Sequence, residues 1–464
     1  MPRSVDRESS SHIVSQVSVP AIGVNERPPA DSGDPRKLLL RAPMSRFQWL
    51  AVAVSSALCA LEGFDVMAIN YAAPALLREW GISKVQLGYV LSSGLLGMAV
   101  GSLLLSPLAD SIGRRRMIFV ALVMMIAGSF WTAVADGMTA LMVSRVLTGV
   151  GVGSMIGIIS TLAAEYANAR HRDTAVSVAT TSYGLGAILS GLLSAWLLAS
   201  FGWRSIFFLA SALGLLMVVV VWRFLLEPLA FVVARPGSDG LARTNRFLRR
   251  CGHPPVATLP PPAPKERLPL ASLFRPDMIR DTLTLTAIFF FFMIPLFYVQ
   301  TWVPTLMTDI GLEPSEAAVV AACVSFGSVC PWLLIAAASQ RIGLKRLQIM
   351  FFTGVVAMIL VLVETPANFA LLTVIGAVTG FCTGGSIVGL WAIVARTFPG
   401  HLRASGTGFV VGIGRFGSTL PPILAGLLFT AGVSRTGVSL VMVIPAIVAL
   451  ALLFTFRVRP PDTA

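Results

Sequence analysis

Twelve long apolar runs, separated by short polar segments, make up most of this 464-residue chain. Hydrophobic residues account for 55% of the sequence and charged residues for only 12%, whereas a soluble globular protein carries about 25% charged residues. A helix needs roughly 20 mostly apolar residues to cross a bilayer. The pattern therefore predicts an all-α membrane protein with twelve transmembrane helices. The runs lie at about 47–77, 84–110, 117–135, 138–166, 173–200, 204–226, 281–308, 315–340, 346–363, 368–397, 404–430 and 437–456.

The polar segments divide the chain into two groups of six runs. Residues 47–226 are predicted to form one six-helix bundle and residues 281–457 a second, joined by a cytoplasmic linker at 227–280 that is rich in Pro and Arg. Residues 1–46 are polar and lack the apolar segment of a signal peptide, so we expect a disordered cytoplasmic tail. Residues 458–464 form a second, short cytoplasmic tail.

The basic residues are divided unequally between the two sides of the predicted membrane protein. If both termini are cytoplasmic, most of the 35 Lys and Arg residues fall in the tails and loops on that side. This distribution agrees with the positive-inside rule and predicts an inner (plasma) membrane protein in a lipid bilayer. The basic residues are spread over the loops of one side and are not clustered in one motif. The net charge of +13 therefore indicates no nucleic-acid partner. The basic residues on the other side are Arg78, Lys84, Arg204 and Arg435.

Short motifs recur between the two halves at a constant spacing of 230 or 231 residues. "SIGRRR" at 111–116 resembles "RIGLKR" at 341–346. Agreement at several separate places indicates that the halves are duplicated copies. Parallel six-helix halves around a site at the membrane midplane are typical of transporters. The other matching pairs are Pro74 with Pro304, Gly81 with Gly311, Arg172 with Arg403, and Gly186 with Gly417.

Two acidic residues, Glu62 and Asp65, lie near the middle of the first apolar run. They are three positions apart and therefore share a helix face. An ionised acid at mid-membrane costs roughly 2.5–3.5 kcal/mol on insertion scales, so such residues face a cavity, form pairs or bind protons. Two close carboxylates also disfavour double ionisation. We interpret them as a proton-coupling site, with a structural hydrogen bond between helices as the alternative.

Arg145 and Arg415 are the basic residues inside apolar runs. A guanidinium stays protonated and holds a carboxylate through two parallel hydrogen bonds. We assign Arg415 to substrate binding and Arg145 to proton coupling with the first-run acids, although a structural ion pair is an alternative for Arg145. The run "FFFFM" (289–293) is interpreted as lipid-facing. Further candidates for the substrate site, which also fit an interfacial belt of aromatic residues, are Asn70, Tyr183, Tyr298, Gln300, Trp302 and Trp391.

Several motifs resemble those of the major facilitator superfamily, over nearly the whole chain outside the tail and much of the linker. "SPLADSIGRRR" (106–116) is similar to its signature between the second and third helices, and "LMVSRVLTGVGVG" (141–153) to its fourth-helix signature. "RTFPGHLRASGTG" (396–408) is similar to one of its charged segments. "EGFD" (62–65) and "GIGRFG" (412–417) resemble the aromatic acid:proton symporter branch. The resemblance implies the major facilitator fold, with two pseudo-symmetric six-helix bundles.

The resemblance also implies a cytoplasmic gate, in which charged residues at the helix ends close that side of the transporter. In the second copy of the loop motif, Gln340 stands where the family carries Asp. The residues at the gate positions are Asp110, Gly113, Arg114, Arg115, Glu165 and Arg172 in the first half, and Arg396 and Arg403 in the second.

The chain departs from the branch at two places. In the tenth run, Ser386 and Trp391 stand where the branch carries Gln and Asn, which places both residues at its substrate site but leaves the substrate open. The fifth run, "YGLGAILSGLL", has no proline, whereas antiporter branches carry a Gly-Pro pair there. This difference favours uptake over export.

These features predict a secondary active transporter that takes up a small organic anion, an aromatic or related carboxylate, together with protons. Alternating access would move one bundle against the other around a midplane site. The alternatives are a proton-coupled exporter of the same fold and a membrane nutrient sensor that does not transport. No constellation of nucleophile and base and no metal-ligand cluster stands out, so we expect no enzyme, no metal and no cofactor. We expect the protein to function as a monomer.

Overall fold

The protein is almost entirely helical along the residues that the computed structural model describes, which are 34–234, 238–260, 270–276, 278–398 and 402–456. Most of the predicted first tail and all of the second lie outside these ranges, so the division into tails, bundles and linker stays a prediction. A short tail helix, Pro35–Arg41, forms within the segment expected to be disordered. The side chain of Asp34 caps it by accepting a hydrogen bond from the N–H of Arg36.

Twelve helical stretches follow in these described ranges, in two groups of six. The first group is α1 (Arg46–Trp80), α2 (Lys84–Ile112), α3 (Arg114–Ala133), α4 (Met138–Tyr166), α5 (Arg172–Phe201) and α6 (Arg204–Phe224). The second group is α7 (Ile279–Asp309), α8 (Pro314–Val329 and Pro331–Ile342), α9 (Leu344–Glu364), α10 (Phe369–Thr397), α11 (Arg403–Arg415, Phe416–Thr419 and Leu420–Thr430) and α12 (Arg435–Thr455).

Eleven of these helices in the described part of the chain are long and apolar enough to cross a membrane. The exception is α8, whose hydrogen-bond ladder is interrupted at Cys330 because Pro331 has no N–H to donate. Two segments therefore occupy the place of the single eighth helix expected from the sequence.

Local sequence explains where the first helices begin and end. Ser45 and Ser83 start α1 and α2 through capping boxes. Ser45 pairs with Gln48, and Ser83 pairs with Gln86, in each case three residues later. Gly81 ends α1 in the left-handed conformation, with φ of 60°. A residue with a Cβ is strained there, which explains the glycine.

The duplication seen in the sequence is also visible in the backbone. Gly113 has φ of 112° and ψ of 143°, and Gly343, its counterpart, has φ of 87° and ψ of 137°. Both residues immediately precede the third helix of their half. Gly202 and Gly432 form a further pair with positive φ, of 77° and 81°. Equivalent turns at equivalent places are expected if the two bundles share one ancestral architecture.

The outer faces of the bundles carry large apolar side chains, as expected of helices that contact lipid. Trp222 is 68% exposed and Trp196 is 59% exposed. The expectation that 289–293 faces lipid is wrong for its two best-packed rings. Phe289 and Phe292 are 1% and 0% exposed, and Phe292 stacks on Phe352 with ring centroids 4.6 Å apart. A run of one residue type has no helical period that distinguishes its faces.

Helices α1 and α5 pack backbone against backbone because each contributes a glycine at the contact. A Cβ at Gly63 would lie 2.0 Å from the carbonyl oxygen of Tyr183, and one at Gly186 would lie 1.8 Å from that of Ala60. These separations leave no room for a side chain. The contact fixes the part of α1 that carries Glu62 and Asp65.

We expect Gly186→Ala to lower the thermal stability of the purified protein, because the new methyl group must push α5 away from α1. Overpacking of this kind costs on the order of 1–3 kcal/mol. The matched control is Gly408→Ala, where a Cβ meets nothing within 4 Å. Thermal unfolding in detergent measures both variants. Equal melting temperatures for the two variants would contradict the close contact.

The two bundles are joined at the end of the molecule away from the linker, which we call the opposite end; the other end is the linker end. Lys84 at the start of α2 forms an ion pair with Asp309 at the end of α7, with Nζ and Oδ2 2.5 Å apart. The hydroxyl of Ser92 in α2 donates to the carbonyl oxygen of Thr419 in α11 at 2.8 Å. These contacts close the opposite end in this structure.

Removing the Lys84–Asp309 ion pair is expected to favour conformations that are open at the opposite end. The pair is about one-third exposed and is worth up to about 1 kcal/mol, or about a fivefold change in population. Lys84→Gln should therefore increase the alkylation rate of a reporter cysteine introduced at Ser92 by up to about fivefold. Asp309→Asn should have the same effect, and the double variant should show no further increase. Additive effects of the two changes would show that the residues act separately.

Candidate functional site

A buried acid–arginine pair lies inside the first bundle at the middle of the membrane helices. Asp65 in α1 and Arg145 in α4 are 1% and 3% exposed, and Nη2 of Arg145 lies 3.7 Å from Oδ2 of Asp65. The hydroxyl of Ser129 in α3 donates to Oδ1 of Asp65 at 2.5 Å. The guanidinium carbon of Arg145 lies 5.5 Å from the ring centroid of Phe207 in α6. Three helices, α1, α3 and α4, thus meet at one carboxylate, and α6 contacts its arginine partner.

The Asp65–Arg145 pair keeps unused hydrogen-bonding capacity. Oδ2 of Asp65 and both Nε and Nη1 of Arg145 are buried without a hydrogen-bond partner among the described residues. Burying two charges costs several kcal/mol per ion unless good geometry and further hydrogen bonds compensate. A buried ion pair whose hydrogen-bonding atoms lack partners contributes little to stability, so a purely structural role explains it poorly. It is suited to exchange a proton or to accept a ligand.

A small pocket between the two bundles gives access to this pair. It measures about 20 Å³, which holds roughly one water molecule. Asp65, Asn70 and Arg145 line it from the first bundle, and Phe297 and Thr301 of α7 line it from the second. A ligand larger than water therefore needs the bundles to separate, which rigid-body rocking provides.

The second acid of α1 faces a different arginine. Glu62 is 1% exposed, and its Oε1 has no hydrogen-bond partner in the described part of the chain. Arg415 in α11 lies within electrostatic range of Glu62, but no ion pair within 4 Å joins the two side chains in the described residues. Nη1 of Arg415 is likewise buried without a partner. Glu62 and Arg415 belong to different bundles, so this interaction crosses the interface that must open.

Glu62 and Asp65 thus act as two separate centres. The three-residue spacing places them on one helix face, but Asp65 pairs within its own bundle while Glu62 faces the other bundle. The expected partner of Arg145 is found: it lies beside Asp65. No hydrogen bond joins the two acids to each other among the described residues.

Two of the predicted substrate-site residues lie near these centres. Asn70 is 3% exposed, lines the pocket beside Asp65 and donates a weak hydrogen bond to the sulfur of Met67. Tyr183 lies in α5 with its backbone carbonyl against Gly63, the residue that follows Glu62.

The other predicted substrate-site residues pack elsewhere in the second bundle. The Tyr298 hydroxyl hydrogen-bonds that of Ser439 in α12 at 2.8 Å. Trp302 is fully buried against Phe429 of α11, with ring centroids 5.0 Å apart. Ser386 donates to the carbonyl oxygen of Cys382 in its own helix. Trp391 is 38% exposed and packs edge-to-face on Phe289, while Gln300 is half-buried.

Charged residues at the linker end form a network within the first bundle. Arg114 donates from Nη1 to Oε2 of Glu165 at 2.6 Å, and its Nη2 lies 3.5 Å from Oδ1 of Asp110. The positive φ of Gly113 allows the chain to turn sharply into α3. Arg115 donates to the carbonyl oxygen of Trp222 at the end of α6. These predicted gate residues of the first half are therefore brought together.

Glu227, which the sequence reasoning missed, completes this network. Its Oε1 accepts hydrogen bonds from the N–H groups of Arg114 and Arg115, at 2.5 and 3.3 Å, and so caps the start of α3. Burial raises the pKa of Glu227, and the two N–H donors oppose that shift. A Cβ at Gly113 would lie 3.0 Å from Oε2 of Glu227, so the glycine also makes room for the cap.

The remaining predicted gate residues are less connected in this structure. Arg172 is exposed at the start of α5 and acts on Glu165 only through its charge. Arg396 is exposed near the end of α10. Arg403 begins α11, and its side chain lies outside the described part of the structure.

Comparison with known proteins identifies the fold and the family. The model of the Major Facilitator Superfamily matches residues 56–363 and 285–464. The chain belongs to this superfamily. Its members among the curated relatives are transporters, and the chain is accordingly a membrane transporter and not an enzyme.

The relatives cover nearly the whole chain. A 4-hydroxybenzoate transporter, PcaK, from Acinetobacter baylyi is 29% identical over 431 residues, covering 91% of this chain and 93% of its own. A gallate transporter from Pseudomonas putida is 29% identical over 437 residues, covering 93% and 97%. A 3-(3-hydroxy-phenyl)propionate transporter from Escherichia coli K12 is 28% identical over 390 residues, covering 84% and 89%. The resemblance to aromatic acid transporters is thereby confirmed.

The solved structures give the same fold. The crystal structure of a D-xylose-proton symporter superposes with a TM-score of 0.67 at 17% identity, covering 89% of this chain and 98% of its own. The prediction of an all-α major facilitator fold is confirmed.

Proposed function

We propose that this transporter takes up a small aromatic carboxylate together with protons, by alternating access. The single observation that carries the proposal is the buried, incompletely hydrogen-bonded Asp65–Arg145 pair, which lines the pocket between the bundles. Glu62 and Arg415, which come within electrostatic range of each other across the bundle interface, support it. Each centre combines one group that can gain a proton with one that cannot lose it. The names of the relatives support an aromatic acid as the transported anion.

Charge competition explains how proton and anion are coupled at Arg415. An ionised Glu62 attracts the guanidinium and competes with a substrate carboxylate. Protonation of Glu62 removes that competition, and the unpartnered Nη1 of Arg415 is then available to the substrate. Proton binding and anion binding therefore favour each other, which is the thermodynamic requirement of symport.

Asp65 and Arg145 form the second proton-binding centre in this proposal. Protonation of Asp65 leaves Arg145 as an uncompensated cation beside the pocket, which raises the affinity of the pocket for an anion. Asn70 and Tyr183 supply polar contacts to the substrate, and Phe297 of α7 supplies an aromatic face.

We place the linker end in the cytoplasm of a cell whose inner membrane holds the protein. Both described chain ends lie there, because the tail helix is held to the α4–α5 turn by a hydrogen bond from Ala169 to Leu40. At the other terminus, Lys345 at the start of α9 bonds the carbonyl oxygens of Phe454 and Phe456 at the end of α12. The basic loops of this end agree with the positive-inside rule. The charged network around Arg114 then acts as the cytoplasmic gate.

Uptake into proteoliposomes tests the proposal. The panel contains 4-hydroxybenzoate, gallate and 3-(3-hydroxyphenyl)propionate, with xylose and 4-hydroxybenzyl alcohol as controls without a carboxylate. An inward proton gradient is expected to drive accumulation of at least one acid and of neither control, and a proton-conducting ionophore should abolish it. Efflux driven by the same gradient would instead identify an exporter. Binding of an acid without gradient-driven flux or counterflow would identify a sensor.

A further inference from the structure

The linker helix, Gly240–Arg250, presents an arginine-rich face to solvent. Its residues Gly240, Thr244, Phe247 and Leu248 are buried. The other face exposes Leu241, Ala242, Arg246, Arg249 and Arg250. Residues three and four positions apart lie on the same side of a helix. The three arginines therefore form one surface, which we call the arginine face.

The linker helix is firmly held in place. The ring of Phe247 packs on Phe47 and Tyr166, with ring centroids 5.9 and 5.4 Å apart. The side chain of Asn245 forms two hydrogen bonds with the backbone of Val256, at 2.8 and 3.0 Å, and so fixes the chain that follows. A fixed helix loses little conformational entropy when its arginines bind a ligand.

The arginine face borders an open hollow at the surface of the molecule. Asn245, Arg246, Arg249 and Arg250 line it, together with Leu241 and Ala242, and none of these residues is acidic. Guanidinium groups without acidic neighbours bind phosphate through paired hydrogen bonds. The chemistry of the hollow thus fits a ligand that carries phosphate.

The position of the hollow places it at the level of lipid headgroups. Phe47 lies in the first turn of α1, and Tyr166 is the last residue of α4. The linker helix, which packs on both, therefore lies where membrane helices leave the apolar core. Leu241 is 39% exposed beside the arginines, and an apolar side chain at this level contacts lipid without cost.

We propose that the arginine face binds the phosphate groups of anionic phospholipids at the linker end. The inference does not depend on the transported substrate or on proton coupling. A headgroup phosphate enters the hollow between Arg246 and Arg249, and Leu241 contacts the lipid chain. The tail helix adds a second basic and apolar surface at the same end, with Lys37, Arg41 and the 42% exposed Leu40.

Native mass spectrometry of the full-length protein in a neutral detergent tests this inference. The protein is titrated with phosphatidylglycerol, with zwitterionic phosphatidylcholine and with inorganic pyrophosphate in separate series. The variant is Arg246→Gln with Arg249→Gln. The matched control, Arg78→Gln with Arg435→Gln, removes the same charge at the opposite end.

The expected result is preferential retention of phosphatidylglycerol by the parent protein and by the control. Binding by the arginine-face variant should be weaker by on the order of 10- to 30-fold. The reason is that each basic residue near an anionic surface strengthens binding about three- to fivefold, and the variant loses two. Equal retention by the parent and the arginine-face variant would overturn the proposal. Pyrophosphate binding as tight as that of the lipid, and lost in the same variant, would overturn the assignment to lipid in favour of a soluble phosphate ligand. Unchanged folding is checked by the melting temperatures of both variants.

Discussion

Replacing Asp65 by asparagine is expected to remove the part of substrate accumulation that one coupled proton drives, while leaving exchange of substrate across the membrane. Asparagine has nearly the same shape and still accepts the hydrogen bond from Ser129, but it cannot bind or release the proton. A difference of one pH unit supplies about 1.36 kcal/mol per proton. Each coupled proton therefore supports about tenfold accumulation, so the variant, which keeps only the Glu62 centre, should accumulate about tenfold less substrate than the parent protein.

Uptake and counterflow of 4-hydroxybenzoate in the same proteoliposomes measure the two activities. The matched control is Asp136→Asn, an acid whose side chain is 95% exposed at the opposite end. A second variant, Asp65→Asn with Arg145→Gln, removes the unpaired cation that the single change leaves behind. If the double variant accumulates substrate as the parent does, Asp65 has only a structural role beside Arg145. Undiminished accumulation in the single variant contradicts a proton role for Asp65 outright.

Replacing Arg415 by glutamine is expected to weaken carboxylate binding by on the order of 100-fold, because loss of one partner from a buried hydrogen-bonded charge pair costs several kcal/mol. Arg415→Lys should have a smaller effect, about tenfold, since lysine keeps the charge but lacks the two-pronged geometry. Equilibrium binding of 4-hydroxybenzoate to the purified protein measures both changes. Binding of uncharged 4-hydroxybenzyl alcohol reports any general damage to the site.

The variant Glu62→Gln with Arg415→Gln distinguishes two roles of Arg415, which are binding of the substrate carboxylate and compensation of the Glu62 charge. Arg415→Gln alone leaves Glu62 without its cation, and an uncompensated buried charge destabilises a protein whatever the ligand does. The double variant contains neither charge. It should remain folded and still bind the carboxylate as weakly as Arg415→Gln does. Recovery of parental affinity in the double variant would show that Arg415 only balances Glu62.

Much of the fold follows from the sequence because the bilayer imposes a simple rule. A chain segment that crosses the membrane must be apolar over about 20 residues, so helix number and order can be predicted from apolar runs. The duplication can be recognised in the sequence for a similar reason. Gly113 and Gly343 adopt positive φ angles that other residues rarely take, so glycine recurs at the equivalent turn of each half. The interruption of α8 is signalled only by Pro331, and proline within a membrane helix need not break it, as Pro74 and Pro304 show.

The candidate site was only partly predictable. Glu62, Asp65, Arg145 and Arg415 stand out because ionisable residues are rare in apolar runs. Ser129 and Thr301 do not stand out, since serine and threonine within a membrane helix usually bond their own backbone, as Thr301 also does here. Glu227 lies in a polar segment, where an acidic residue cannot be distinguished from ordinary surface residues by sequence. Its role as a cap depends on the fold, which brings it to the start of α3.

Composition and spacing alone predicted a membrane protein with twelve apolar runs in two similar halves, and placed two acids and two arginines within those runs. Only the tertiary structure decided which acid faces which arginine, with Asp65 beside Arg145 and Glu62 toward Arg415. The physical reason is that helical periodicity orders residues around one axis, whereas partners between helices depend on how separate helices rotate and approach. Here that approach is set by contacts such as Gly63 and Gly186, where the backbones of α1 and α5 meet.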